Sequence, residues 1–147
     1  MGGSQVTAPQ SDVAAGAAPA VGNKLPELSI YGDPTFVVST AIATRDYQDV
    51  HHDRDKAQAK GSTDIFVNIL TDTGLVGRYV TDWAGPKAVI KSIKLRLGVP
   101  WYAYDTITFR GEVTDVDGEL VTLKVVGSNS LGDHIIATST LTLGGAQ

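Results

Sequence analysis

A long apolar segment in mid-chain, with little after it except strand-like alternation, limits this sequence to a small set of architectures. From Asp64 to about Trp83, the residues Ile65, Phe66, Ile69, Leu70, Thr73, Val76, Val80 and Trp83 recur at steps of three and four. That period predicts a helix. Val67, Leu75 and Tyr79 widen its apolar face, so the helix is expected to be wrapped by other elements rather than laid on a surface. Asp64 is a candidate N-cap, and Gly85-Pro86 supplies the stop. Gly74 and Gly77 lower helix propensity and leave room for a neighbouring backbone.

Beyond Pro86 the chain reads as strand. Val89, Ile93, Leu95 and Leu97 alternate with Ser92, Lys94 and Arg96, with Lys91 breaking the apolar face. Ile107, Phe109, Gly111 and Val113 alternate with Thr106, Thr108, Arg110, Glu112 and Thr114. Asp117-Gly118 predicts a hairpin turn. Another strand runs from Glu119 to Val126, then a turn from Gly127 to Asp133, then a last strand from Ile135 to Leu143. His134 is read as a turn residue. Ahead of the long helix, the β-rich run Phe36–Ala43 predicts a first strand. Leu25–Gly32, broken by Pro26 and Pro34, reads as a connector. Val50–Ala59 predicts a short helix capped by Asp49.

The pattern is α+β: an antiparallel sheet wrapped around one long central helix, the hotdog arrangement. Its uncovered sheet edges predict an oligomer. Residues 1–23 are Ala, Gly, Pro, Ser and Gln with few large apolar side chains, and predict a disordered tail. Residues 24–147 then form one domain.

Composition removes several function classes. The 147 residues hold no cysteine, so disulfides and thiolate metal sites are excluded. A formal net charge of −4 argues against nucleic-acid binding. No run is apolar and long enough to span a bilayer. The N-terminus has neither the basic start nor the apolar core of a signal peptide, and a cytoplasmic location is the simplest expectation. No Gly-rich phosphate loop precedes a helix. His51 and His52 are adjacent and point apart on a helix, with no third imidazole nearby, so no metal is expected.

Chemistry concentrates in Arg45-Asp46-Tyr47-Gln48-Asp49-Val50-His51-His52-Asp53. An Asp and a His five residues apart at a corner can hold one water between them. That is the minimum equipment for adding water to an activated double bond. Asp46, Val50, His51, Asp53 and Ala57 also fall without a gap on the motif of the MaoC-like, or type 2, enoyl-CoA hydratases. Gln48-Asp49 replaces the usual Asn-Pro, and Arg45 stands where Gly is usual. With Gly61 and the run Asp64–Leu70, the segment most resembles the small subunits of actinobacterial hydratases that act on the CoA thioester of the shortened cholesterol side chain.

The resemblance covers residues 36–143, and its implications are specific. Asp46 and His51 are the catalytic pair. The backbone amide of Ile69 is the oxyanion donor, at a place where many relatives have His-Gly and this chain has Asn68-Ile69. Gly61 is a second candidate donor. His52 and Asn68 are candidate substrate contacts. No separate cofactor is needed, because CoA is part of the substrate. A second MaoC-like chain is the implied partner, with a homodimer as the alternative. Lys91, Lys94, Arg96 and Arg110 are candidates for the CoA phosphates or for a solvated sheet face. Trp83, Trp101 and Tyr102 line either a pocket or an interface. Three rival functions stay open: an (R)-specific fatty enoyl-CoA hydratase or dehydratase, a hotdog thioesterase, and a non-catalytic subunit that completes a partner's site.

Overall fold

The computed structural model describes residues 18–144. Residues 1–17 of the expected tail lie outside the described residues. The rest of that stretch is tied down. Asn23 closes a small turn with Ala20, Gly22 N–H donates to the Val113 carbonyl at 2.8 Å, and Val113 N–H donates to Asn23 at 2.9 Å.

Five antiparallel strands form one open sheet in the order β1-β3-β4-β5-β2. β3 (Asp105–Asp117), β4 (Leu120–Asn129) and β5 (Gly132–Thr142) are the meander the sequence pattern predicts. β3 and β4 meet at Gly118, whose φ of +59° is the left-handed conformation a tight turn requires. β4 and β5 each run further than expected, and the intervening turn shrinks to Ser130-Leu131. β2 (Val89–Leu97) and β1 (Lys24–Gly32) are the two edges. One face of the sheet is apolar and buried: Ile107, Phe109 and Val113 on β3, Val121, Leu123 and Val125 on β4, Ile135, Ala137 and Leu141 on β5.

Across that face packs the long helix α3 (Ile69–Ala84), with Val76, Tyr79 and Val80 buried against it. Gly111 makes room for the Tyr79 ring, since a Cβ there would stand 2.9 Å from its Cε1. The Tyr79 hydroxyl then donates to the Pro26 carbonyl on β1 at 2.8 Å.

Three expectations are corrected. The run Phe36–Ala43 is not a strand but most of a helix, α1 (Pro34–Ala43). Asp33 caps it, accepting from Phe36 N–H at 2.7 Å, and Pro34 occupies the first helical position. Val37 and Ala41 then face the core four residues apart. Second, Lys24–Gly32 is a strand. Pro26 is tolerated because β1 is an edge and its register slips between Leu25 and Leu28. Third, α3 starts at Ile69 rather than near Asp64. Residues 65–68 are extended, with Val67 N–H donating to Trp101 at 3.0 Å and Ala103 N–H to Ile65 at 2.9 Å. Ile69 and Leu70 are about half exposed rather than wrapped.

Candidate active site

The Asp46 corner begins with how α1 stops. Arg45 N–H donates to Ile42 at 3.0 Å and Asp46 N–H reaches back to Ala41 at 2.9 Å. This is the two-bond Schellman ending. It requires a left-handed residue just past the cap, and Arg45 takes it with φ +57°. The chain reverses there and turns the Asp46 carboxyl toward residues 48–51. A short 3-10 turn, Asp49–His51, then brings the imidazole back toward it. Two further motif residues serve the scaffold. The short helix expected over Val50–Ala59 with Asp49 as cap is instead α2 (Arg54–Ala59), which Asp53 caps through Lys56 N–H at 3.0 Å, and Ala57 is wholly buried.

His51 is buried, with Nδ1 2.8 Å from the Phe66 carbonyl oxygen. A carbonyl only accepts, so Nδ1 carries the hydrogen and Nε2 is left facing Asp46 Oδ2 at 3.4 Å. The Phe66 carbonyl is free to accept because residues 65–68 are extended; in a helix begun at Asp64 it would serve the helix. The Phe66 ring meets the imidazole edge-on at 4.9 Å between centroids.

Asn68 is almost fully buried and its hydrogen-bonding capacity is spent. Nδ2 donates to Thr44 Oγ1 at 2.8 Å and to Asp46 Oδ2 at 3.1 Å. Oδ1 caps α3, accepting from Thr71 N–H at 3.4 Å and from the Thr71 hydroxyl. The structure therefore places Asn68 as a brace between α3 and Asp46. Ile69 follows as the first residue of α3. Among the described residues, its amide and that of Leu70 donate to no protein acceptor. They are the unsatisfied donors at the positive end of a sixteen-residue helix.

Gly61 and His52 stand apart from this group. Gly61 terminates α2 with φ +95°, and its N–H is taken by the Gln58 carbonyl at 3.0 Å. His52 closes the 3-10 turn and is exposed. Trp101 is wholly buried and Tyr102 pairs with Phe66. Lys91, Lys94, Arg96 and Arg110 are exposed, Arg110 against Glu27 at 2.8 Å.

Sequence reasoning missed a second acid–imidazole pair. His134 is not a turn residue: it lies on β5, 2% exposed, with Nε2 3.0 Å from both Asp72 oxygens and Nδ1 2.6 Å from the Val99 carbonyl. Asp72 is fully buried on α3. The helical spacing Asp72, Val76, Tyr79, Trp83 was the signal, since it puts the acid on the core stripe. Burial raises the Asp72 pKa, against the lowering effect of His134 and His51. Burial works against charge on His134 too, but the Asp72 carboxylate and the Val99 carbonyl outweigh it and raise its pKa.

No family model matches the chain. It is 76% identical over 123 residues to the 3-oxo-4,17-pregnadiene-20-carboxyl-CoA hydratase beta subunit of Mycobacterium tuberculosis, covering 84% of this chain and 95% of that protein. The chain belongs to the MaoC-like hotdog hydratases. Among solved structures, this MaoC-like chain superposes on one chain of the ChsH1–ChsH2 complex from Mycobacterium tuberculosis with a TM-score of 0.84 and 74% identity, over 85% of this chain and 98% of that one. The (R)-hydratase from A. caviae shares the fold at a TM-score of 0.79 and 19% identity, over 85% of this chain and 97% of that one. No helix among the described residues is long and apolar enough to cross a membrane.

Proposed function

We propose that this chain is the catalytic small subunit of a hydratase that adds water across the α,β double bond of a steroid side-chain enoyl-CoA. A second MaoC-like chain is its partner. The substrate class rests on the relative named as a pregnadiene-carboxyl-CoA hydratase subunit, and the partner on the two-chain complex it matches. The cytoplasm, where acyl-CoA thioesters are made and used, is the proposed compartment.

One observation carries the chemistry: His51 Nε2 and Asp46 Oδ2 stand 3.4 Å apart with the imidazole locked by Phe66. With the imidazole neutral, a water seated beside the pair donates one hydrogen to each atom, and its oxygen lone pairs face outward. As it attacks the β-carbon, one of its protons passes to the pair. The π electrons move through the α-carbon onto the thioester oxygen. The Ile69 amide, at the N-terminus of α3, receives that developing charge. The proton then passes from the pair to the α-carbon, so the sum is one water added and the pair is restored. Asn68 keeps Oδ2 of Asp46 turned toward His51.

Loss of enoyl-thioester absorbance tests this, with crotonyl-sized and steroid-sized substrates and with the chain alone or with its co-purified partner. Asp46→Asn and His51→Ala are each expected to lower kcat by at least about 100-fold while the protein stays folded. Near-normal turnover by either variant would sink the assignment. Release of free CoA would turn it into a thioesterase.

A further inference from the structure

We propose that the buried Asp72–His134 pair is a positioning element of the hydration site, setting the height and rotation of the first turn of α3. This rests on the catalytic reading of Asp46 and His51. The contacts converge on that turn from two sides. On one side, His134 on β5 grips the Asp72 carboxylate through both oxygens at 3.0 Å. Asp72 N–H in turn donates to the Asn68 carbonyl at 3.2 Å, and Asn68 holds Asp46. On the other side, the same imidazole takes the Val99 carbonyl at 2.6 Å, and the His134 carbonyl accepts Gly98 N–H at 2.8 Å. That loop leads into Trp101, whose ring meets His134 edge-on and whose carbonyl receives Val67 N–H, one residue before Asn68. One imidazole thus fixes the residues on both flanks of Asn68 and Ile69.

A merely structural role explains this poorly. Apolar side chains of similar volume usually replace a buried ion pair without loss of stability. They lack the direction of a hydrogen bond to both carboxylate oxygens, however, and hold the first turn of the helix less sharply against the sheet. The pairing also matters for charge. Asp72 lies three residues after Ile69, on the same side of the helix. An unpaired carboxylate there would repel the negative charge that develops at the Ile69 amide. The shared proton cancels it.

The test uses the full chain with its partner, comparing Asp72→Asn with the double variant Asp72→Leu/His134→Leu. Asn keeps the shape and donates to His134 Nε2, so kcat is expected within about threefold of the unsubstituted protein. The Leu pair fills the space, leaves no unpaired charge and keeps the protein folded. It is expected to lower kcat by about 10- to 100-fold at nearly constant KM, since a misplacement near 1 Å costs on the order of 100-fold. A Leu pair with normal kcat, while Asp46→Asn is inactive in the same assay, overturns the inference and leaves the catalytic reading standing. A near-normal Asp46→Asn overturns both. If the Leu pair fails to fold, Asp72→Ser measured per folded site replaces it; a normal kcat there is equally fatal.

Discussion

Replacing Asn68 by Ser separates two jobs that one side chain performs. Serine caps a helix about as well as asparagine, so the Thr71 amide keeps an acceptor. Its hydroxyl is too short to reach Thr44 and Asp46, so the donations at 2.8 and 3.1 Å are lost. A bond to a carboxylate is worth about 2 kcal/mol and a neutral one about 1 kcal/mol. Because the Asp46 side chain is 17% exposed, water replaces part of the first, and a net loss of about 2 kcal/mol is expected. Asn68→Ala also loses the cap, for about 1 kcal/mol more. The catalytic effect ignores that difference. In both variants the carboxylate loses its brace, and kcat is expected to fall about 10- to 100-fold. Denaturant titration gives the stabilities, and enoyl-thioester absorbance gives kcat. If Ser restores activity in step with stability, Asn68 is a cap alone and the bracing argument is wrong.

Arg45→Gly relieves a left-handed backbone that costs about 1–2 kcal/mol for a side-chain-bearing residue. The greater freedom of unfolded glycine returns about half of that, so Tm is expected to rise by about 2–4 °C with kcat unchanged; a lower Tm contradicts the strain argument. The Asp72–His134 pair makes stability depend on pH. The pKa of each is raised in the folded state, so the native protein holds protons more tightly than the unfolded chain. The stabilisation from His134 is full below about pH 6.5, its ordinary value, and is lost as pH rises through the higher folded value. Melting followed from about pH 6 to 9 should show Tm falling across that window, and Asp72→Asn should flatten the fall. An equal slope in the variant would assign it to other groups.

The meander was legible because β3 and β4, and β5 from Ile135 on, alternate between buried and less buried residues, and the Asp46–His51 spacing was legible because it is local. The errors share a physical origin. Val37, Val38, Thr40 and Ile42 favour strands by side-chain branching, but Asp33 and Pro34 provide a helix start that dominates, and the pair of signals was available at the sequence level. Ile65–Val67 joined the apolar period of α3 because a two-residue extended pairing and a helical turn bury similar residues. Asp72–His134 is a contact across 62 positions, and no local pattern announces such a partner.

The extended lead-in at residues 65–68 decides how the molecule comes apart. Between the end of α1 and the start of α3, the chain carries the acid and the imidazole, and its regular backbone ties to the sheet side are those at Ile65 and Val67. Beyond these two amide bonds the segment is held by the buried side chains of Ala57, Ile65 and Val67, a smaller anchorage than the continuous ladders of the meander. Such a segment opens as its own cooperative unit at less than the global free energy. Catalysis is therefore expected to fail on warming before the sheet melts, with amide exchange at Val67 rising ahead of exchange in the meander strands.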